Sequence, residues 1–583
     1  MTRTRLLPLV LVATVGLGVA APVSAQSDGR SRPGPVDPRP EPAPPYVDPG
    51  QVAPPPSSAF PDDFAPVPDR WRLLETLGKP ENLFDPYNQN TLKGDKPIFG
   101  DDWFLVLTGI SDTVIEPRSI PTPVGIQSSN ESGENDVFGG VDQFLFSQTL
   151  IGSAALIKGN TAFKPQDLEF RLTLAYNYNY AEADELRVLY ADPANGDTRS
   201  DEHLGVQEAF LDYHLRNVSE RYDFDSMRVG IQPFISDFRG FLFQDNQLGV
   251  RFFGNRNNNL FQYNFGWFRR IEKEINSGLN DLSEDIRDDD IFLANLYAQD
   301  FPVLGFTSQG IIAYNRNRDD PLVDTNGFPA RPAELGFAEE REYDVTYLGL
   351  NGDGHFGRFN LTTSAYLALG ENRNAPLSDL ESDVAAFMLA AEPSIDFDWI
   401  RLRGSLFYAS GDDDPYDDKE TGFDAIFENP QFAGADTSYW IRQSIPLIGG
   451  GFVGLSGRNG LLPSLRPSKE QGQSNFTNPG LTLAGVGADF DITPELRVSS
   501  NVNYLRFNDT SSLEALRQQG EIDEEIGWDV SAAAIWRPFL NQNVVLRLSG
   551  AMLFAGDGFK QLYGAQDDED VFYSVLANVV LTY

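Results

Sequence analysis

Seven arginines, Arg171, Arg228, Arg251, Arg401, Arg403, Arg497 and Arg547, sit in segments of alternating polarity, each on the face opposite the apolar row. An eighth, Arg239, lies with Asp237 and Gln244 in a connection between two such segments. Guanidinium groups gathered on one face attract anions, and their planar donors hold carboxylates or phosphates in bidentate fashion. The same groups could instead brace a wall, pairing with Glu169, Glu208, Asp212, Asp344 and Asp529, the acids assigned to that face. Other chemistry has few carriers. His203 and His214 lie at opposite ends of one segment and His355 in a short turn, so no compact acid/base site forms and no enzyme is expected. The chain has no Cys, hence no disulfide or thiolate metal site. The acidic runs lack EF-hand spacing, so neither a metal site nor a cofactor is expected.

The elements that carry these arginines read as strands. From Leu168 to Tyr180 the set Leu168, Phe170, Leu172, Leu174, Tyr176, Tyr178 and Tyr180 faces one way, with Glu169, Arg171, Thr173, Ala175, Asn177 and Asn179 on the other. Similar segments recur at 103–113, 143–157, 203–215, 224–233, 247–254, 260–269, 291–299, 305–316, 343–352, 358–369, 383–394, 399–410, 481–490, 495–506, 527–537, 543–554 and 571–583, eighteen in all. Their connections are alternately short and long, the longest being 411–480. Strict succession of short turns and long loops is the habit of membrane β-barrels and not of soluble sandwiches. After the first 25 residues no run approaches the roughly 18–20 apolar residues of a spanning helix. The expectation is an all-β fold: a transmembrane, antiparallel, up-and-down barrel of about 18 strands (range 16–20), two further strands within 440–457 being the route to a higher count.

The ends of the chain give an address. Arg3 and Arg5 precede an apolar run from Leu6 to Ala21 and a small-residue site at Val23-Ser24-Ala25, a secretory signal over 1–25. Fourteen of the forty residues from Ser31 to Arg70 are Pro, so 26–70 reads as an extended, disordered periplasmic tether. Residues 71–101 hold a short amphipathic turn and a turn-rich stretch, expected to line the periplasmic mouth or tuck inside as a plug; 102–583 is the barrel. The net charge of −40 excludes a nucleic-acid partner, which would need a basic footprint. The partners expected are outer-membrane lipid and lipopolysaccharide, a small-molecule solute, and a periplasmic or cell-wall partner met through the tether.

Val571, Tyr573, Val575, Ala577, Val579, Leu581 and Tyr583 form an apolar row ending on a terminal aromatic, which resembles the closing strand of Gram-negative outer-membrane barrels. The stretch from Arg228 to Gly254, with Pro233-Phe234 breaking a strand and Gly249-Val250 returning it, resembles a unit of the substrate-preferring porins. Tyr408-Ala-Ser-Gly-Asp-Asp-Asp-Pro-Tyr-Asp417 and Gly422-Phe-Asp-Ala-Ile-Phe427 resemble the alginate-export porins. That resemblance implies eighteen strands around an arginine-lined pore for a polyuronate. The family's basic, Tyr-Gly-containing motif is replaced here by Ile231-Gln-Pro-Phe234, so the substrate does not carry over. The functional expectation is a passive channel for small hydrophilic, anionic solutes, with Arg442, Arg458, Arg466 and Lys469 of the long loop as further residues of interest. The alternative is a structural barrel plugged by 411–480 and Trp71–Gly100 that recruits partners through its tether.

Overall fold

The computed structural model describes residues 77–583 apart from 88, 123–139, 160–164, 222, 333–339, 379–380, 444, 448–452, 456, 464, 467, 540 and 564–569. All belong to one compact unit, Asp69–Tyr583. The expected signal, the tether and the turn at Trp71 and Leu74 lie outside the described residues.

Eighteen antiparallel strands pair in chain order and close on themselves. They are β1 Trp103–Ser119, β2 Asp142–Lys158, β3 Leu168–Ala183, β4 Thr198–Asn217, β5 Phe224–Ile235, β6 Gln244–Arg256, β7 Phe261–Arg269, β8 Asp289–Ala298 and β9 Phe306–Asn317. There follow β10 Tyr343–Phe356, β11 Phe359–Asn372, β12 Ser382–Phe397, β13 Ile400–Ala409, β14 Leu481–Asp491, β15 Leu496–Arg506, β16 Glu525–Trp536, β17 Val544–Ala555 and β18 Val571–Thr582. Each expected segment is a strand. Several run on at the loop side, β1 to Ser119 and β4 from Thr198. Pairing continues there after apolar alternation has stopped, because outward positions beyond hydrocarbon turn polar, as at Glu182 and Glu202. The described residues of 440–457 add no strand; a helix of one turn, Tyr439–Arg442, stands there. His355 lies within β10, one residue before its end, instead of in a turn.

Turn-side connections are as tight as Gly357-Arg358 between β10 and β11, where Gly357 takes φ +67°, a value that costs glycine nothing. Loop-side connections reach from Ser410 to Gly480.

The outside of the wall is apolar. Leu350 of β10 is 73% exposed and Val486 of β14 64%, while their inward neighbours Val345, Tyr347, Leu481 and Leu483 are buried. Such a surface suits hydrocarbon, and strands of 9 to 20 residues are long enough to span it. No described helix is long and apolar enough to cross a membrane. Parity on β10 also corrects one assignment: Val345 and Tyr347 point inward, so Asp344 points outward. At that end the apolar row Tyr343, Val345 and Tyr347 faces the lumen and the polar Asp344 and Thr346 face out, so the usual sense of the alternation is reversed.

At the seam, β18 pairs with β1 from Ile110↔Thr582 to Arg118↔Ser574. Tyr583 therefore lies against Gly109, with reciprocal backbone bonds of 3.1 and 2.8 Å. The edge left open on β1 is covered by a short strand, Lys93–Phe99, which pairs with Trp103–Val106 at the turn-side rim. Lys93 Nζ sits 4.2 Å over the Tyr583 ring and Asn90 Nδ2 donates to its hydroxyl at 3.1 Å.

Replacing Leu350 by Arg is expected to destabilise the vesicle-inserted barrel by about 2–4 kcal/mol, the cost of a cation near the bilayer midplane. Denaturant titration in lipid vesicles measures it, and an unchanged midpoint would place this face outside hydrocarbon.

Candidate permeation site

The lumen is built from the strand walls and from two connections that turn inward. The first, Ser236–Phe243, is organised by Asp237. Its Oδ1 accepts the backbone N–H of Arg239 (2.9 Å), Gly240 (2.6 Å) and Phe241 (3.2 Å), while Oδ2 accepts Leu242 N–H (3.2 Å) and the Tyr366 hydroxyl (2.8 Å). A short carboxylate side chain thus replaces the ladder partners lost where the strand breaks. The second is the Ser410–Gly480 loop. Phe427 N–H donates to Leu242 O (3.1 Å), Asn429 N–H to Gly240 O (2.9 Å) and Gln431 N–H to Arg239 O (2.8 Å), joining the two into a ribbon. At Gly240 a Cβ would lie 2.9 Å from Asn429 O, so only glycine permits this approach.

The ribbon has its own core. Phe241 packs on Phe432 and Phe407 (centroids 5.4 and 6.1 Å apart), Phe423 meets Tyr347 of the wall (6.2 Å) and Phe476 meets Tyr343 (5.9 Å), and Ile426, Phe427 and Val345 are buried in the same core. The loop-side half of the lumen is therefore apolar on the β10 sector, and the inserted loop fills it.

Farther round, the loop is fixed by polar contacts. Asp529 of β16 accepts N–H from Tyr439 and Trp440 (both 3.1 Å) and a hydroxyl bond from Ser438, capping the short helix. Asn503 Nδ2 donates to Ala433 O (3.0 Å), Ala433 N–H to Glu392 (3.0 Å), and Asn501 Nδ2 to Thr437 (3.1 Å).

Most of the candidate arginines are paired. Arg171 meets Glu169 at 2.6 Å and Arg228 meets Asp212 at 2.7 Å while lying 4.3 Å over the Phe210 ring. Arg401 clasps Asp396 (2.5 and 3.1 Å) and Arg497 clasps Asp491 (2.6 and 3.0 Å). Arg403 reaches Asp489 (3.2 Å) and Asn501 (2.9 Å); Arg547 reaches the Asp436 carbonyl at 2.6 Å and its carboxylate at 3.6 Å. Arg239, on the ribbon, holds Glu392 (3.1 Å), Thr362 (2.8 Å) and Gln431 O (3.2 Å). Glu392, Asp396, Asp489 and Asp491 were missing from the inward acids inferred from parity. Their strands carry them inward, so acids answer most of the wall arginines.

Arg251 differs. It lies 4.5 Å over the Phe253 ring and 5.8 Å over Phe234, and among the described residues no carboxylate pairs with it. It opens on a cavity of about 560 Å³ shared with Tyr297, Gln262, Asn264, Arg458 and Asp245, whose carboxylate is held by Lys273 (2.8 Å) and Arg458 (3.1 Å). A second cavity of about 250 Å³ flanks the ribbon where Arg239, Arg403, Arg497 and Arg547 converge. In the long loop, Arg458 pairs with Asp245 (3.1 Å), Arg466 with Asp424 and Glu428 (2.8 and 3.2 Å), Lys469 with Glu428 (2.9 Å), and Arg442 stands 3.8 Å from Glu116. These cations hold the loop in place.

At the loop root, burial pushes the Asp412 carboxyl up to about 7, with Glu420 nearby adding to the effect. Burial likewise pushes Glu420 up to about 7, against the Asn372 amide that donates to it at 2.8 Å. Raised carboxyl values mean that the ordered root takes up protons relative to the released one. Its stability therefore falls as pH rises from the ordinary carboxylate range to about 7 and is level above that. Proteolytic cleavage of Ser410–Gly480 in the inserted barrel is accordingly expected to be slower at pH 5 than at pH 8. Asp412→Asn with Glu420→Gln flattens that dependence; an equal slope in the double variant would assign it elsewhere. Separately, Asp529→Ala removes a charged acceptor and raises the same cleavage about tenfold or more, measured against the folded barrel at constant pH.

No family model matches the chain, and no curated protein matches it. Among solved structures it is similar to Pseudomonas aeruginosa OccK9 (OpdG), at 12% identity over 82% of this chain and 98% of that one, TM-score 0.46. It is also similar to Pseudomonas aeruginosa OccK7 (OpdD), at 10% identity over 83% and 99%, TM-score 0.45. A third similar structure is a BenF-like porin from Pseudomonas fluorescens Pf-5, at 10% identity over 82% and 98%, TM-score 0.43.

Proposed function

We propose that this chain is an outer-membrane channel for small hydrophilic solutes, with a preference for anions. The channel reading rests on a closed barrel with an apolar outer surface and cavities lined by polar side chains beside the inserted ribbon. The anion preference rests on Arg251. A guanidinium facing a cavity without a carboxylate partner keeps its charge available to a passing ion, whereas paired arginines contribute little net field. The tether remains a candidate for holding a periplasmic or cell-wall partner.

The extent of the Ser410–Gly480 loop inside the barrel favours a second reading, a structural barrel with a blocked lumen. Planar-bilayer recording separates the two: single-channel conductance is expected, and a folded barrel with none would establish the blocked reading. Under a salt gradient, Arg251→Gln is expected to move the reversal potential towards cations, while removing a whole pair, Arg401→Gln with Asp396→Asn or Arg497→Gln with Asp491→Asn, leaves it unchanged. A shift with either double variant would relocate the selecting charge.

A further inference from the structure

The outer surface carries an arc of mixed charge at the loop-side ends of β7–β11. It begins where the outward apolar residues stop, just past Trp267, Phe292, Tyr314 and Leu369. On one half, Arg269 and Arg316 share Asp288 (3.0 Å each) and reach Asp290 (4.0 and 3.6 Å). On the other, Arg318 and Arg373 share Glu342 (3.2 and 3.1 Å) and both reach Asp344. Trp267 Nε1 donates to Asp290 (2.9 Å) and the Tyr314 hydroxyl to Asp344 (2.7 Å), which ties the acids to the aromatic level of the wall.

A sector centred six strands away is built differently. On β2–β4 the outward loop-side ends present Asp142, Glu182 and Glu202, each bonded to a tyrosine hydroxyl, and no arginine or lysine. Basic residues are thus denser on this arc than on β2–β4, in a strongly acidic chain and at the height of lipid headgroups. Arg316 and Arg373 are its most exposed cations, at 39% and 47%. The ion pairs and hydrogen bond of Arg316 all run through Nη1, which leaves Nη2 and Nε for a further acceptor.

We propose that this arc docks a phosphate-bearing glycolipid of the outer leaflet, with Arg316 and Arg373 donating to its phosphates and the shared carboxylates orienting the guanidinium planes. The proposal rests on the outer-membrane reading. Guanidinium donors match phosphate oxygens bidentately, and a cation between two carboxylates is held in plane before the lipid arrives. A lipid, not a soluble anion, fits because the donors border a surface that already faces acyl chains.

The test uses the full chain purified in detergent, incubated with diphosphorylated lipid A and read by native mass spectrometry. The folded protein is expected to retain the lipid, and Arg316→Gln with Arg373→Gln to retain about tenfold less, the loss expected when charge-assisted hydrogen bonds are removed. Glu182→Gln with Glu202→Gln, on the β3–β4 sector, retains it fully. Equal retention by the arginine double variant, equal retention of dephosphorylated lipid A, equal displacement by phosphatidylglycerol, or loss from the unaltered chain on chelation of divalent cations would each overturn the proposal. If the double variant fails to fold, Arg316→Gln alone carries the comparison. Conductance of the double variant stays at the parent level, so absence of conductance speaks against the channel and loss of lipid against the arc.

Discussion

Backbone hydrogen bonding is the constraint on which everything else here depends. In hydrocarbon an unpaired N–H or C=O costs several kcal/mol, so a sheet placed there must leave no edge. Closure of β18 on β1 meets that requirement, and the Lys93–Phe99 strand pairs with Trp103–Val106 of β1, part of the stretch that β18 does not reach. Once the wall is closed, period two decides what each side chain meets. Leu350 and Val486 face out because their parity puts them there, and Arg251 and Asp529 face in for the same reason.

The interior shows how a sheet this wide avoids becoming an empty pipe. Two connections from the loop side, each stabilised by a carboxylate accepting backbone N–H groups, Asp237 within its own loop and Asp529 from the wall, fold inward and bond to each other. Their phenylalanines supply an apolar core where the wall is apolar, and their polar backbone meets amides and carboxylates where it is not. The result is an electrostatic interior of mostly paired charge, in which Arg251 alone of the eight candidate arginines has no carboxylate partner among the described residues.

How much of this could be read in the residues follows from the range of the interactions. Strands such as Leu168–Ala183 were legible because alternation is local and both faces differ in chemistry. The face of Asp344 was not, since Tyr343, Val345 and Tyr347 are covered by a loop more than seventy residues away and resemble a lipid-facing row. The candidate arginines of the wall could be located, but their partners could not: Arg403 with Asp489, or Arg239 with Glu392, depends on strand register and loop placement. The inserted loop left one trace, a Ser-Gly-Asp motif followed by Phe423 to Phe427, too hydrophobic for a solvated connection.

The meeting of Asn90 and Lys93 with Tyr583 joins residues almost five hundred positions apart. Hairpins between neighbouring strands need only short excursions of the chain, but this contact requires both ends to be held while all eighteen strands assemble. Its entropic cost is among the largest in the molecule, and contacts of such separation slow folding. The rim at which the chain both enters and leaves the wall is thus the natural last point of closure, and the order of assembly is written into the seam.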